Sequence, residues 1–361
     1  MLIIDAHLDL SWNALQWGRD LRRSVYTIRT QENTASEKGR GLGTVAFPEM
    51  RQGRIALSFA TLLARSTGQP TPHIDFATPA QSYGVARGQL AYYRALEQQG
   101  DVRIITDRAS LEQHMALWTA WEASGATGTT LALGFVITME GADPILAPDQ
   151  LQDWWDAGLR LLGITHYGPG RYAGGTATEL GLTELGRPLL AEIERLGMVL
   201  DLSHCSDQSF WQALECYNGP VLASHQNCRA LVPHQRQFTD DQIRAVIERD
   251  GVLGVALDTW MIKPAWVIGP RYIASNPTVT LSDVVDHIEY ICQLAGNSRH
   301  VAIGTDLDGG FGREQSPADL DTIADLQKLP DLLTARGYST DDISAIMHGN
   351  WLRLLGRVWG N

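Results

Sequence analysis

Eight short apolar runs, separated by longer stretches of helical composition, constrain this chain more than any other feature of its sequence. They are LIIDAHLDL (2–10), RIALSFATLL (54–63), LALGFVITME (131–140), LRLLGITH (159–166), GMVLDLSH (197–204), PVLASH (220–225), GVLGVALD (251–258) and HVAIGTD (300–306). Segments 80–99, 149–157, 183–196, 207–217, 239–250 and 282–295 have helical composition, and several open on Asp, Ser or Thr suited to an N-cap. Strand and helix in alternation signify a parallel sheet with crossover helices, and eight such units predict an α/β fold of the (β/α)8 barrel type. VRIITD (102–107) is a ninth run, expected to be peripheral. The whole of 1–361 is expected to form one barrel domain, with long loops at about 18–53 and 64–80.

Reactive groups of such barrels gather at the C-terminal ends of the strands. Here the first run ends with His7 and Asp9, the third with Glu140, the fourth with His166, the fifth with His204, the sixth with His225, the seventh with Asp258 and the eighth with Asp306. His7 and Asp9 stand two apart, so on a strand they share one face. Carboxylates gathered that closely repel unless a cation sits among them, and a divalent metal neutralises them most simply. Imidazole with carboxylate suits zinc, and the ligands outnumber what one tetrahedral ion needs. Two zinc ions are therefore expected, one on His7, Asp9 and Glu140, the other on Glu140, His204 and His225, with Glu140 as the bridge.

Other functions are disfavoured. A formal net charge of −12 repels nucleic acid and anionic lipid, and no basic run offsets it. No apolar run reaches the roughly 18 residues of a membrane span, and no secretory signal opens the chain, so a cytoplasmic location with no membrane partner is expected. Cys205, Cys216, Cys228 and Cys292 form no CxxC pair and read as reduced, mostly packing thiols. GPGRYAGG lacks the Lys-Ser/Thr ending of a phosphate loop, and neither HExxH nor GxSxG occurs. Asp258 and Trp260 either line the pocket or, for Asp258, cap the next segment; Asp308 reads as a support for the site or a loop cap.

The stretches DAHLD, MEGAD, GITH, DLSH, ASH, GTDLDG and HGNWLRLL, in this order from residue 3 to about 355, resemble the membrane (renal-type) dipeptidase family of zinc peptidases among the amidohydrolase-like barrels. The resemblance implies a dinuclear zinc site on the five residues named, with Glu140 also catalytic, and hydrolysis of the peptide bond in dipeptides. It further implies that His166 binds substrate and stabilises the oxyanion, and that Asp306 contacts substrate and shuttles the proton. Arg236, 11 residues after His225, takes the place of an arginine for the substrate's terminal carboxylate, although the local HQRQF departs from the usual Arg-Asn pair. The bacterial cytosolic members are the better likeness, and relatives are commonly homodimers.

Such a centre implies a metal-bridging hydroxide as nucleophile, with Asp306 taking its proton and returning it to the leaving amine. The rival readings are another amidohydrolase-type reaction on a lactam, lactone or aminated ring, and a catalytically silent barrel or isomerase. A lysine bridge is expected in many of the former, whereas the bridging position here is Glu140. The choice of dipeptide, including a D- or L-residue at its C-terminal position, is not encoded in any motif.

Overall fold

The computed structural model describes residues 1–126, 130–269 and 272–360. Nine strands follow one another as β1 (Ile3–Leu8), β2 (Ile55–Leu63), β3 (Val102–Ile104), β4 (Leu133–Glu140), β5 (Leu159–Gly163), β6 (Val199–Asp201), β7 (Val221–Leu222), β8 (Leu253–Val255) and β9 (Val301–Ile303). Every pairing between them is parallel, and one sheet runs β1-β2-β4-β5-β6-β7, with β8 and β9 paired separately. Ala223 joins the two parts, donating its N–H to Val252 O at 3.0 Å and accepting that of Gly254 at 2.8 Å. At the other seam the Asp306 N–H donates to His7 O at 3.3 Å. Eight strands thus curl into the expected barrel. β3 stays outside the ring: it pairs with the start of β4, and β5 takes over the same edge from Ile137 onward.

β1, β2 and β4 are buried along their whole length, because helices cover the outside and side chains fill the inside. The expected helical segments appear as Pro79–Gln98, Leu151–Asp156, Gly186–Arg195, Asp207–Cys216, Asp240–Glu248 and Leu281–Ala295. Thr78, Ser206 and Thr239 accept hydrogen bonds at three of their N-termini, satisfying donors that the first turn leaves free. None of the helices is long and apolar enough to cross a membrane among the described residues.

Two expectations need correction. The stretch 18–53 is not all loop, since Val25–Gln31 and Phe47–Gln52 are helical. The last five barrel strands are also shorter than their apolar runs, stopping at Gly163, Asp201, Leu222, Val255 and Ile303. Beyond those points side chains replace the ladder. Asp201 Oδ1 accepts the N–H groups of Ser203 and Ser224, each at 3.0 Å, and so joins the loops after β6 and β7. Asp5 does the same across the other seam, taking the Thr305 N–H at 2.8 Å and its hydroxyl at 2.6 Å.

Candidate metal centre

The barrel delivers its polar groups with a common offset. His7 lies in β1 and Glu140 ends β4, whereas His166, His204, His225, Asp258 and Asp306 each stand three residues beyond the end of β5, β6, β7, β8 and β9. Asp9 also lies past its strand, at the start of the helix Leu10–Gln16, so strand alternation does not by itself align it with His7. His204 and Asp306 adopt left-handed backbone, with φ of 64° and 59°, which turns their loops sharply above the ring. Cys205 is buried, and its thiol is pushed up by burial, but it follows a turn and not a strand position.

Glu140 is the hub. Its Oε2 faces His7 Nε2 at 3.6 Å, while its Oε1 faces His204 Nε2 at 3.2 Å and His225 Nε2 at 3.3 Å. His7 Nε2 also lies 3.8 Å from Asp9 Oδ2 and 3.9 Å from Asp306 Oδ1. His166 Nε2 reaches Glu140 Oε1 only at 3.7 Å. Three overlapping groups here have ligand atoms close enough to hold a cation: His7, Glu140 and His225; Glu140, His166 and His204; and His7, Asp9 and Asp306.

Hydrogen bonds hold the rings. Thr176 Oγ1 lies 3.0 Å from His204 Nδ1 and 3.3 Å from His204 O, and a hydroxyl that donates to the carbonyl leaves its oxygen to accept from Nδ1. His204 Nε2 then carries a lone pair toward Glu140, as a metal ligand requires. His225 Nδ1 is held by the Ser224 hydroxyl at 2.8 Å. His166 is different. Its Nδ1 lies 3.4 Å from Arg65 Nη1, and a guanidinium only donates, so the His166 proton sits on Nε2 and points toward the centre.

The donor set fits a metal. His204 Nε2 and His225 Nε2 stand 2.9 Å apart, and the buried His7 Nδ1, His7 Nε2 and Asp9 Oδ1 have no hydrogen-bond partner. Buried polar atoms without partners are unfavourable, and a cation among them satisfies several together. The electrostatics agree. Burial opposes the charge on Glu140, yet His166 and His7 hold its carboxyl well below the usual range. Burial likewise opposes charge on His7, but Glu140 and Asp9 outweigh it and raise its pKa well above that of a free imidazole. Burial keeps His204 and His225 well below that value, and places His166 at about 3. Asp306 is pushed well up by burial, against the pull of His7.

Above the cluster lies a cavity of about 190 Å³. That is smaller than the ~300–1,000 Å³ of drug-sized pockets, so it suits a small ligand. Glu140, His166, Arg236, Asp258 and Asp306 line it. Arg236 is buried, donates to Gln226 Oε1 and to His225 O at 2.9 Å, and forms no ion pair with a carboxylate among the described residues. Arg171 is spoken for elsewhere, donating to Leu146 O at 2.7 Å. Asp258 makes no side-chain capping bond and is instead held by Trp260 Nε1, so its pocket-lining alternative is the one realised. Asp308 faces away from the cavity, accepting from Arg19 at 3.1 Å and from Thr44 and Val45 N–H at 2.7 and 3.1 Å, which clamps the segment before β2 to the β9 loop. Sequence reasoning missed Arg65, Thr176, Asp5 and Asp201. The last two carried a signal, an aspartate inside an apolar run just before a histidine.

Comparison with known proteins places this geometry. A family model described as membrane dipeptidase (Peptidase family M19) matches residues 1–359. Dipeptidase aclJ of Aspergillus oryzae is 28% identical over 329 residues, covering 88% of this chain and 70% of that protein. The crystal structure of the dipeptidase AC, a metallopeptidase of family M19, is 26% identical with a TM-score of 0.76, covering 100% of this chain and 99% of the other. A metallopeptidase from Rhodobacter sphaeroides, liganded with a phosphinate mimic of the dipeptide L-Ala-D-Ala, shares the fold at 24% identity and a TM-score of 0.77, over 99% of both chains. With a match that spans the entire barrel and every strand end that carries the cluster, the chain belongs to the membrane dipeptidase family (Peptidase family M19) and is a metal-dependent hydrolase of the dipeptidase type.

Proposed function

We propose that this chain hydrolyses the peptide bond of free dipeptides at a dinuclear zinc centre, with His7, Asp9 and Glu140 holding one ion and Glu140, His204 and His225 the other. The observation that carries the reading is the division of Glu140, one carboxylate oxygen toward His7 and the other toward the two later histidines. When bound, such a pair of ions supplies Lewis acidity and an acidified water at neutral pH.

The chain's own residues do the rest. The Arg236 guanidinium binds the substrate's terminal carboxylate, which completes a buried cation that lacks an acidic partner. Because that anchor is fixed, it sets the distance from the C-terminus to the cluster at one peptide bond. The scissile carbonyl carbon then lies beneath His166, whose Nε2–H donates to the carbonyl oxygen as negative charge develops there. A carboxylate oxygen of Asp306 accepts a proton from the attacking water and returns it to the leaving nitrogen, which departs as a neutral amine. The proton is conserved over the cycle, and no side chain is left altered.

We further take the working enzyme to be a homodimer in the cytoplasm, which light scattering and cell fractionation would check. The test of the function itself is elemental analysis of zinc-reconstituted protein, with hydrolysis measured on dipeptides bearing either an L- or a D-residue at the C-terminal position. About two zinc equivalents per chain and turnover of at least one stereochemical series are expected. One equivalent or fewer would remove the dinuclear assignment, and no turnover at full occupancy would remove the dipeptidase reading.

A further inference from the structure

A dipeptide carries two charges, and the residues assigned above answer only one of them. Arg236 meets the carboxylate, which leaves the N-terminal ammonium without a partner. Four carboxylates line the cavity: Asp9, Glu140, Asp306 and Asp258. The first two belong to the candidate ligand set and the third to proton transfer. Asp258 has no part in either.

Its surroundings are those of a built anion site. Asp258 is buried, yet no cation lies within ion-pair distance of it among the described residues. Lys38 acts on it only at longer range. Instead, two neutral donors grip it: Trp260 Nε1 reaches Oδ2 and Gln315 Nε2 reaches Oδ1, each at 2.7 Å. An indole N–H and an amide N–H cannot neutralise the carboxylate, but one bond to each oxygen fixes its plane and leaves each oxygen a lone pair. The two donors come from different segments, the short helix Thr259–Ile262 after β8 and the 3-10 turn Arg313–Gln315 after β9, so the carboxylate is held from both sides. It makes no side-chain capping bond to the short helix Thr259–Ile262, whose Trp260 indole is one of the two donors. Burial raises its pKa to about 7, the condition of a carboxylate that a ligand cation would relieve.

We propose that Asp258 recognises the free α-ammonium group of the substrate, and so makes the enzyme select dipeptides with an unblocked N-terminus. The inference rests on the dipeptidase reading and adds to it a specificity-determining residue. Between Arg236 and Asp258 the cavity then reads both ends of a zwitterion, and N-acylated amino acids or blocked peptides bind poorly.

The test compares Ala-Ala, in whichever stereoisomer is turned over, with propionyl-alanine, which has the same shape without the ammonium. For the zinc-loaded wild type, Ala-Ala is the better substrate. Asp258→Asn lowers kcat/KM for Ala-Ala about 10- to 100-fold, mainly through KM, the usual loss of a charge-assisted hydrogen bond, and leaves propionyl-alanine within about twofold. Trp260→Phe, which loosens the carboxylate without removing it, shows the same selectivity with a smaller loss and covers the case in which Asp258→Asn does not fold. Equal losses on both substrates, or equal kcat/KM for the two in the wild type, would overturn the proposal. Failure of the fully zinc-loaded wild type to turn over either compound would instead overturn the dipeptidase reading beneath it.

Discussion

At the scale of single residues, the cluster divides into groups that hold charge in place and groups that move it. Glu140→Gln keeps the shape of the side chain but not its ability to face two cations with two anionic oxygens, so zinc content measured by elemental analysis should fall at both sites. Asp306→Asn should retain zinc and fold while kcat drops by roughly two to four orders of magnitude, the range for a positioned acid or base, with a much smaller change in KM. Steady-state kinetics beside a zinc assay would show this, and near-normal turnover would take the proton from Asp306. Arg236→Ala should lower kcat/KM on a free dipeptide by about 10- to 100-fold and change little on the corresponding dipeptide amide, which has no carboxylate to lose. His7, Asp9, Glu140, His204 and His225 could all be picked out of the chain because each ends an apolar run. Arg65 could not: it lies 101 residues from the His166 nitrogen to which it donates, and nothing local marks it as different from any other arginine.

At the scale of the elements, the loops just past the strands are set by buried aspartates. Asp201 ties the loops of His204 and His225 together, so Asp201→Ala should orphan two N–H groups, each a loss of about 1–3 kcal/mol, and shift both histidines at once. Zinc stoichiometry should fall from two toward one in a protein whose circular dichroism is still that of the native fold. Asp5 closes the seam between β1 and β9, and burial raises its pKa to about 6 from 3.8. Between about pH 4 and 6 the folded state therefore keeps a proton that the unfolded state releases, and stability declines as pH rises, by at most ~1.4 kcal/mol per pH unit. Asp5→Asn should flatten that part of the pH profile in urea titrations. The shortness of β5 to β9 was not visible in the runs LRLLGITH, GMVLDLSH, PVLASH, GVLGVALD and HVAIGTD. Apolar residues continue past the ladder because they are buried by the helices around them, and burial writes the same letters whether or not a neighbouring strand is in register.

At the scale of the whole molecule, the proposed metal site draws on strand ends from His7 to His225, so metal binding and barrel stability would be coupled. Removing zinc with a chelator should lower the Tm by several degrees, since occupancy at about 1,000 times Kd adds on the order of 4 kcal/mol to the folded state. Calorimetry before and after metal restoration checks this. The succession of eight apolar runs and the polar groups that end seven of them were determined by the sequence itself, because covalent order and hydrophobic period dictate which segments are buried and which residues follow them. The tertiary structure alone decided which oxygen of Glu140 faces which histidine, that Asp258 lines the cavity and makes no side-chain cap, and that Arg65 and Thr176 stand against the Nδ1 atoms of His166 and His204. The physical reason is that directional contacts of a few ångströms between residues far apart in sequence depend on how the ring of strands closes, and closure leaves no periodic trace in the chain.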